Sequence, residues 1–184
     1  MSNERKELKI KSQTVISVLF PNVTENNTIH TGSSVLVTSE SDYLTSGFCH
    51  ELAKDLAIYN DFENESNGIL YLNYIECIDA RLRCLNLSGH YSVRVASVKR
   101  DLEDTIVDTV DDLLEMLCNN KNPTVLFVDG LIFKPRVIPD FEPLLTYCSE
   151  NDILLIVSNV VKDGLDISSG KFTHHARIPS GDTL

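Results

Sequence analysis

Four short, mostly apolar runs constrain this chain more than anything else in it. Ser34–Thr38 reads SVLVT, Ile69–Ile75 reads ILYLNYI, Thr124–Val128 reads TVLFV and Ile153–Val157 reads ILLIV. A strand with one wet face alternates apolar and polar residues, whereas a strand apolar throughout must be covered on both faces. Segments of helical period separate these runs, so successive strands can return to the same direction. The expected fold is α/β, a mostly parallel sheet flanked by helices on both faces.

The intervening segments fill in the pattern. Phe48, Leu52, Leu56 and Tyr59 sit at helical spacing within Ser46–Tyr59, and Arg81–Leu87 reads as a helix stopped by Ser88-Gly89. Leu102, Ile106, Val110, Leu113 and Leu117 form one apolar stripe, with Asp101 or Ser97 to cap its start. The other side of that helix carries Glu103, Asp104, Asp108, Asp111, Asp112 and Glu115, a solvated surface or a site for a basic partner. Tyr91–Val98 alternates as a strand, Phe141–Ser149 reads as a short helix, and Val15–Phe20 reads as a short strand closed by Pro21. Ligands of such sheets lie at the carboxyl ends of the strands. Chemistry is therefore expected in the turns after Thr38, Ile75, Val128 and Val157.

A length of 184 residues suits one domain over 1–184, with a flexible N-terminus expected over 1–12 and a mobile polar tail over 162–184. Sixteen Lys and Arg stand against 27 Asp and Glu, a net charge of −11. Phosphate backbones are held mainly by Lys and Arg, so nucleic acid should be reached only through a partner. No apolar run approaches the roughly 18 residues that cross a bilayer. Met1–Lys11 is charged with no apolar core behind it, unlike a secretory signal. The expectation is a soluble intracellular domain without membrane contact. The five cysteines, Cys49, Cys77, Cys84, Cys118 and Cys148, match no CxxC or zinc spacing and read as free thiols. The sequons at Asn22, Asn26, Asn64 and Asn86 then read as chance matches.

Thr38–Ser46 occupies the place of a phosphate loop. A working loop needs GxxxxGK[ST]: glycines for close backbone approach, Lys for the outer phosphates, a hydroxyl for magnesium. This chain has Ser39-Glu40-Ser41-Asp42-Tyr43-Leu44-Thr45-Ser46. Leu44 stands at the second Gly and Thr45 at the Lys, and of the motif's end only the Ser46 hydroxyl remains. Glu40 and Asp42 put negative charge where a triphosphate would lie. Ser39, Glu40, Leu44, Thr45 and Ser46 thus form a degenerate loop expected to bind no nucleotide, and no cofactor, metal or catalytic residue is expected elsewhere.

The residues after this loop, Ser46-Gly47-Phe48-Cys49-His50-Glu51-Leu52-Ala53, resemble the stretch T-Q-L-C-H-x-L-A that follows the phosphate loop of eukaryotic and archaeal RecA-like recombinases and their paralogues. Further segments follow in the family's order. Ile69–Leu72 resembles the second strand, Arg81-Leu82 the arginine-containing helix, and Val125–Gly130 the strand with the magnesium-side aspartate. Leu154–Asn159 is similar to the strand carrying T-N-Q, and Phe172-x-x-His175-Ala176 to the late H-A segment. The resemblance spans about Ser34 to Ala176. The chain departs from it in several places. Val160 stands where Gln is expected, the catalytic Glu falls at Glu76 or, in a second register, at Ile75, and there is no N-terminal helical lobe or FxxA tether.

The resemblance implies a nucleotide-dead, non-catalytic recombinase paralogue of homologous recombination repair in the nucleus. It would pair with another paralogue and stabilise or remodel the recombinase filament on single-stranded DNA, touching DNA only through the complex. Asp129, Gly130, Lys134 and Arg136 are the expected partner interface, with Asp129 paired to a partner cation or to backbone amides of the emptied loop. Lys134-Pro135-Arg136 reads as a DNA or filament contact or as a solvated loop. Two alternatives stay open, an adaptor of another nucleic-acid assembly that reuses the fold and an ATPase with an unorthodox loop. Cys49-His50 reads as a packed pair or a Cys–His nucleophile, and His174-His175 as neighbours in a polar tail or a partial metal site.

Overall fold

The structure is a computed structural model that describes residues 5–21, 27–62, 67–75, 78–98, 106–130, 141–160 and 171–179. Its first half runs β1 (Glu7–Lys9), α1 (Gln13–Leu19), β2 (Thr28–His30), β3 (Ser34–Ser39), α2 (Asp42–Tyr59), β4 (Ile69–Asn73) and α3 (Ile78–Leu87). The second half adds β5 (Val93–Ser97), α4 (Ile106–Asn119), β6 (Val125–Asp129), α5 (Glu142–Glu150), β7 (Leu154–Val160) and β8 (His174–Arg177). Six strands form one parallel sheet in the order β5-β4-β6-β7-β3-β8.

Alternate residues of a strand point to opposite faces, and both faces here are covered. Val35, Val37, Tyr71, Phe127 and Ile156 enter a core shared with α1, α2 and α3. Leu36, Leu72, Leu126, Leu155 and Val157 enter a second core with α4 and α5. The α/β parallel sheet read from the apolar runs is the architecture observed. On α4, Val110, Leu113 and Leu117 are buried while Asp111, Asp112 and Glu115 face solvent. The cap expected at Asp101, together with Leu102, Glu103 and Asp104, lies outside the described residues. No helix among the described residues is long and apolar enough to cross a membrane.

Four local expectations are corrected. The run read as a strand over Val15–Phe20 is helix α1: the Ser12 hydroxyl accepts the Val15 amide at 3.4 Å, and Val15 and Leu19, one turn apart, are the buried pair. Residues expected to be flexible within 1–12 are tied down, because β1 pairs with β2 and Leu8, Ile10 and Ile29 join the core. Asp55 of α2 fixes the same segment, accepting the amides of Lys11 at 2.6 Å and Ser12 at 3.1 Å. In the tail, β8 adds an edge strand to β3, with Phe172, Ala176 and Ile178 buried. Thr173 clamps that strand in register, its hydroxyl accepting the Ser34 amide and donating to the Ser34 carbonyl, both at 2.7 Å. Finally, α2 begins at Asp42, one turn before the expected start.

Candidate functional site

The early start of α2 reshapes the turn that stands in the place of a phosphate loop. Only Glu40 and Ser41 separate β3 from α2. The Ser39 hydroxyl accepts the Ser41 amide at 3.0 Å and donates to the Ser41 carbonyl at 2.7 Å, folding the turn onto itself. That carbonyl also accepts the amides of Leu44 at 3.1 Å and Thr45 at 3.2 Å. Leu44 packs against the core, Thr45 and Ser46 are buried, and Glu40 is exposed. A phosphate cradle presents a run of free backbone amides. Here Leu44 and Thr45 spend theirs on the first turn of a helix.

Beneath that turn lies a buried polar cluster. The parity of each strand decides its members: Tyr71 on β4, Asp129 on β6 and Ser158 on β7 all face α2. Asp129 has no exposed surface. Its Oδ2 accepts the Ser46 hydroxyl at 2.9 Å and the Tyr71 hydroxyl at 2.6 Å, and its Oδ1 accepts the Ser158 hydroxyl. Three hydroxyl donors from three elements satisfy the buried carboxylate, as its desolvation demands. The Gly130 amide donates to Ser158 Oγ at 2.8 Å and closes the network. Gly130 itself sits at φ +85°, and a Cβ there would lie 2.1 Å from Ile75 Cγ1, so only glycine fits.

His50, one turn beyond Ser46, borders the cluster. Its Nδ1 lies 2.6 Å from the Ser46 carbonyl, which can only accept, so that nitrogen carries the proton. Nε2 then faces the Cys84 thiol at 3.7 Å as an acceptor. Burial lowers the pKa of His50, against raising contributions from the Ser46 carbonyl and Asp129, and the ring is held neutral. Tyr71 is pushed well above its ordinary value by burial and then by the charge of Asp129, so it stays a donor. Its ring stacks on Phe127 with centroids 5.1 Å apart.

The same physics answers the nucleophile reading of Cys49-His50. Burial, and after it the Asp129 charge, push the Cys49 thiol well above its usual value, which leaves no thiolate to attack. The thiol beside His50 is that of Cys84, from α3. His174 and His175, as neighbours on a strand, point apart. His174 packs edge-on to Phe20 with centroids 5.8 Å apart, and His175 Nε2 lies 2.8 Å from Thr38 Oγ1. Among the described residues no three His, Cys, Asp or Glu side chains converge to hold a metal ion.

The degenerate loop and the aspartate strand, far apart in sequence, are brought together, but Asp129 does not meet the groups expected of it. Among the described residues no loop amide reaches its carboxylate: hydroxyls of Ser46, Tyr71 and Ser158 bond its two oxygens, and the group has no exposed surface. Gly130 is buried as well, and Lys134 and Arg136 lie outside the described residues. Sequence reasoning passed over Tyr71, Ser158 and Cys84. A hydroxyl on the inward parity of an otherwise apolar strand, as in ILYLN and LLIVSN, is the signal that finds the first two. Compared with known proteins, the chain matches no protein-family model and no curated sequence.

Proposed function

We propose that this chain is a single RecA-like domain, a non-catalytic recombinase paralogue acting in homologous recombination repair in the nucleus. The observation that carries the reading is the 2.9 Å bond from Ser46 to Asp129. In a working phosphate-loop NTPase the loop hydroxyl and the strand-end aspartate both hold Mg²⁺. Here the residues at those positions, 83 apart in sequence, bond directly to each other, and Tyr71 and Ser158 take the rest of the carboxylate. A hydroxyl network thus stands in for the cation. The β3–α2 turn, with the amides of Leu44 and Thr45 spent on its own backbone, supports the same reading.

Filament protomers stack head to tail through heterologous faces, so a protomer with one face altered pairs once and stops. In that role the chain joins another paralogue, and the pair stabilises or remodels the recombinase filament, reaching single-stranded DNA only as a complex. The partner surface of this reading includes Lys134 and Arg136, which follow Gly130 in the sequence.

Affinity capture of the tagged chain from its own cells, with mass spectrometry of what co-purifies, tests the proposal. A RecA-like protein in about equal amount is expected, and stoichiometric partners that include no RecA-like protein would overturn it. Lys134→Glu/Arg136→Glu should release that partner without lowering the melting temperature. Undiminished capture would put the interface elsewhere.

A further inference from the structure

On the α1–α3 side of the sheet, the outward face of α2 floors an open groove of about 1310 Å³ between α1 and α3. Small-ligand sites occupy roughly 300–1,000 Å³, so this space suits a segment of polypeptide better. Its apolar lining that solvent reaches is Leu44 of α2 and Val18 of α1, with Phe48 and Leu87 nearly buried behind them. The rims are cationic, with Lys54 on α2, Arg83 on α3 and Arg177 on β8, and Glu51 is the single carboxylate among the described lining residues. Such a balance stands out in a chain of net charge −11.

None of those three cations forms an ion pair among the described residues. Arg83 is nonetheless held in place. Its guanidinium lies 4.3 Å over the Tyr43 ring and donates to the Tyr43 carbonyl at 3.4 Å. It also crosses Gly47, where a Cβ would come within 3.3 Å of Nη1. A preorganised, unpaired guanidinium over an apolar floor is half of a recognition pair.

We propose that this groove docks an acidic amphipathic helix of a partner protein, its apolar face on Leu44 and Val18 and its carboxylates against Lys54, Arg83 and Arg177. The lining runs along α2 from Tyr43 to Lys54, about 16 Å at 1.5 Å per residue, or about three turns of a docked helix. A nucleic acid fits less well, because a phosphate backbone wants a continuous cationic track and gains little from an apolar floor. The inference does not depend on the recombination reading.

The test is fluorescence anisotropy of the full chain with a labelled synthetic helix that carries Leu on one face and Glu on the other. Its twin with Lys for Glu and a thymidine oligonucleotide serve as comparators. The Glu helix should bind saturably, and the Lys twin at least about tenfold more weakly (about 1.4 kcal/mol). Lys54→Glu/Arg177→Glu, on exposed rims, should weaken the Glu helix by a similar factor with an unchanged melting temperature. Arg83→Glu should do the same while leaving the other two cations in place. The proposal fails if the parent protein binds both helices alike, or if neither binds by about 0.5 mM. It fails equally if charge reversal changes nothing, or if the oligonucleotide binds more tightly than the Glu helix.

Discussion

Replacing Asp129 by alanine is the sharpest test of the buried cluster. The substitution strips the acceptor from three enclosed hydroxyls, those of Ser46, Tyr71 and Ser158. None has an easy substitute. The nearby His50 Nδ1 is itself a donor, bound to the Ser46 carbonyl at 2.6 Å, and Ser158 already receives the Gly130 amide at 2.8 Å, so its lost partner is an acceptor. A hydrogen bond to a charged group is worth about 1.5–3 kcal/mol. Removing a desolvated charge gives part of that back, so the net loss should be about 3–5 kcal/mol, out of a total stability of about 5–15 kcal/mol. For a chain of this size that lowers the melting temperature by about 6–20 °C.

Tyr71→Phe removes one donor and should cost about 1.5–3 kcal/mol. The double variant should cost less than the sum by about 1–3 kcal/mol, because phenylalanine deletes a hydroxyl that alanine at position 129 has orphaned. Urea unfolding followed by far-ultraviolet circular dichroism and by tyrosine fluorescence measures all three, the chain having no tryptophan. A loss below about 1 kcal/mol for Asp129→Ala, or strict additivity in the cycle, would refute the assigned network.

Three further outcomes follow from the same geometry. His50 is held neutral with its pKa lowered by burial, so the unfolded chain takes up its proton first as pH falls. Stability should be full above about pH 6.5 and decline below it; His50→Asn, which keeps a donor near the Ser46 carbonyl, should flatten that decline in melting temperature, and an unchanged slope would contradict the assignment. Gly130→Ala should cost at least about 1–2 kcal/mol from the left-handed backbone alone, and Ile75→Ala should partly relieve the added 2.1 Å clash, as read from urea midpoints; equal stability of parent and Gly130→Ala would refute it. Calorimetric titration with ATP and magnesium should give no binding heat, and Leu44→Gly/Thr45→Lys should not restore it, because the β3–α2 connection is Glu40 and Ser41 alone; a dissociation constant below about 100 μM in the parent protein would overturn that view.

Much of the sheet was legible because buried parallel strands write continuous apolar runs, and SVLVT, TVLFV and ILLIV need both faces covered wherever they sit. Val15–Phe20 was not, since a run of five apolar residues broken only by Ser17 is too short to show a period, and the Ser12 cap decides in favour of helix. Within β8, Ala176 is the buried residue, so the strand is defined by its pairing with β3 rather than by its composition. Strands β1 and β2, three residues each, fall below any periodic signal. At the site, the order of segments placed Ser46 and Asp129 near each other. The enclosure of Asp129 was illegible, because a carboxylate at a strand end is ordinarily wet and its dryness here depends on hydroxyls of Tyr71 and Ser158, chosen by strand parity.

The strand order also sets a schedule for biosynthesis. Both sheet neighbours of β3 come late in the chain: Ser34 pairs opposite Leu155 of β7, and its carbonyl is clamped by Thr173, 139 residues downstream. A ribosome adding roughly 5–20 residues per second needs about 6–23 s to travel from β3 to β7. For that interval Val35, Leu36 and Val37 have an apolar strand's exposure with two open edges, the condition that invites pairing with other chains. The sheet cannot close around β3 until β7 has emerged, so the nascent protein stays in its most aggregation-prone state while every element between those two strands is being made.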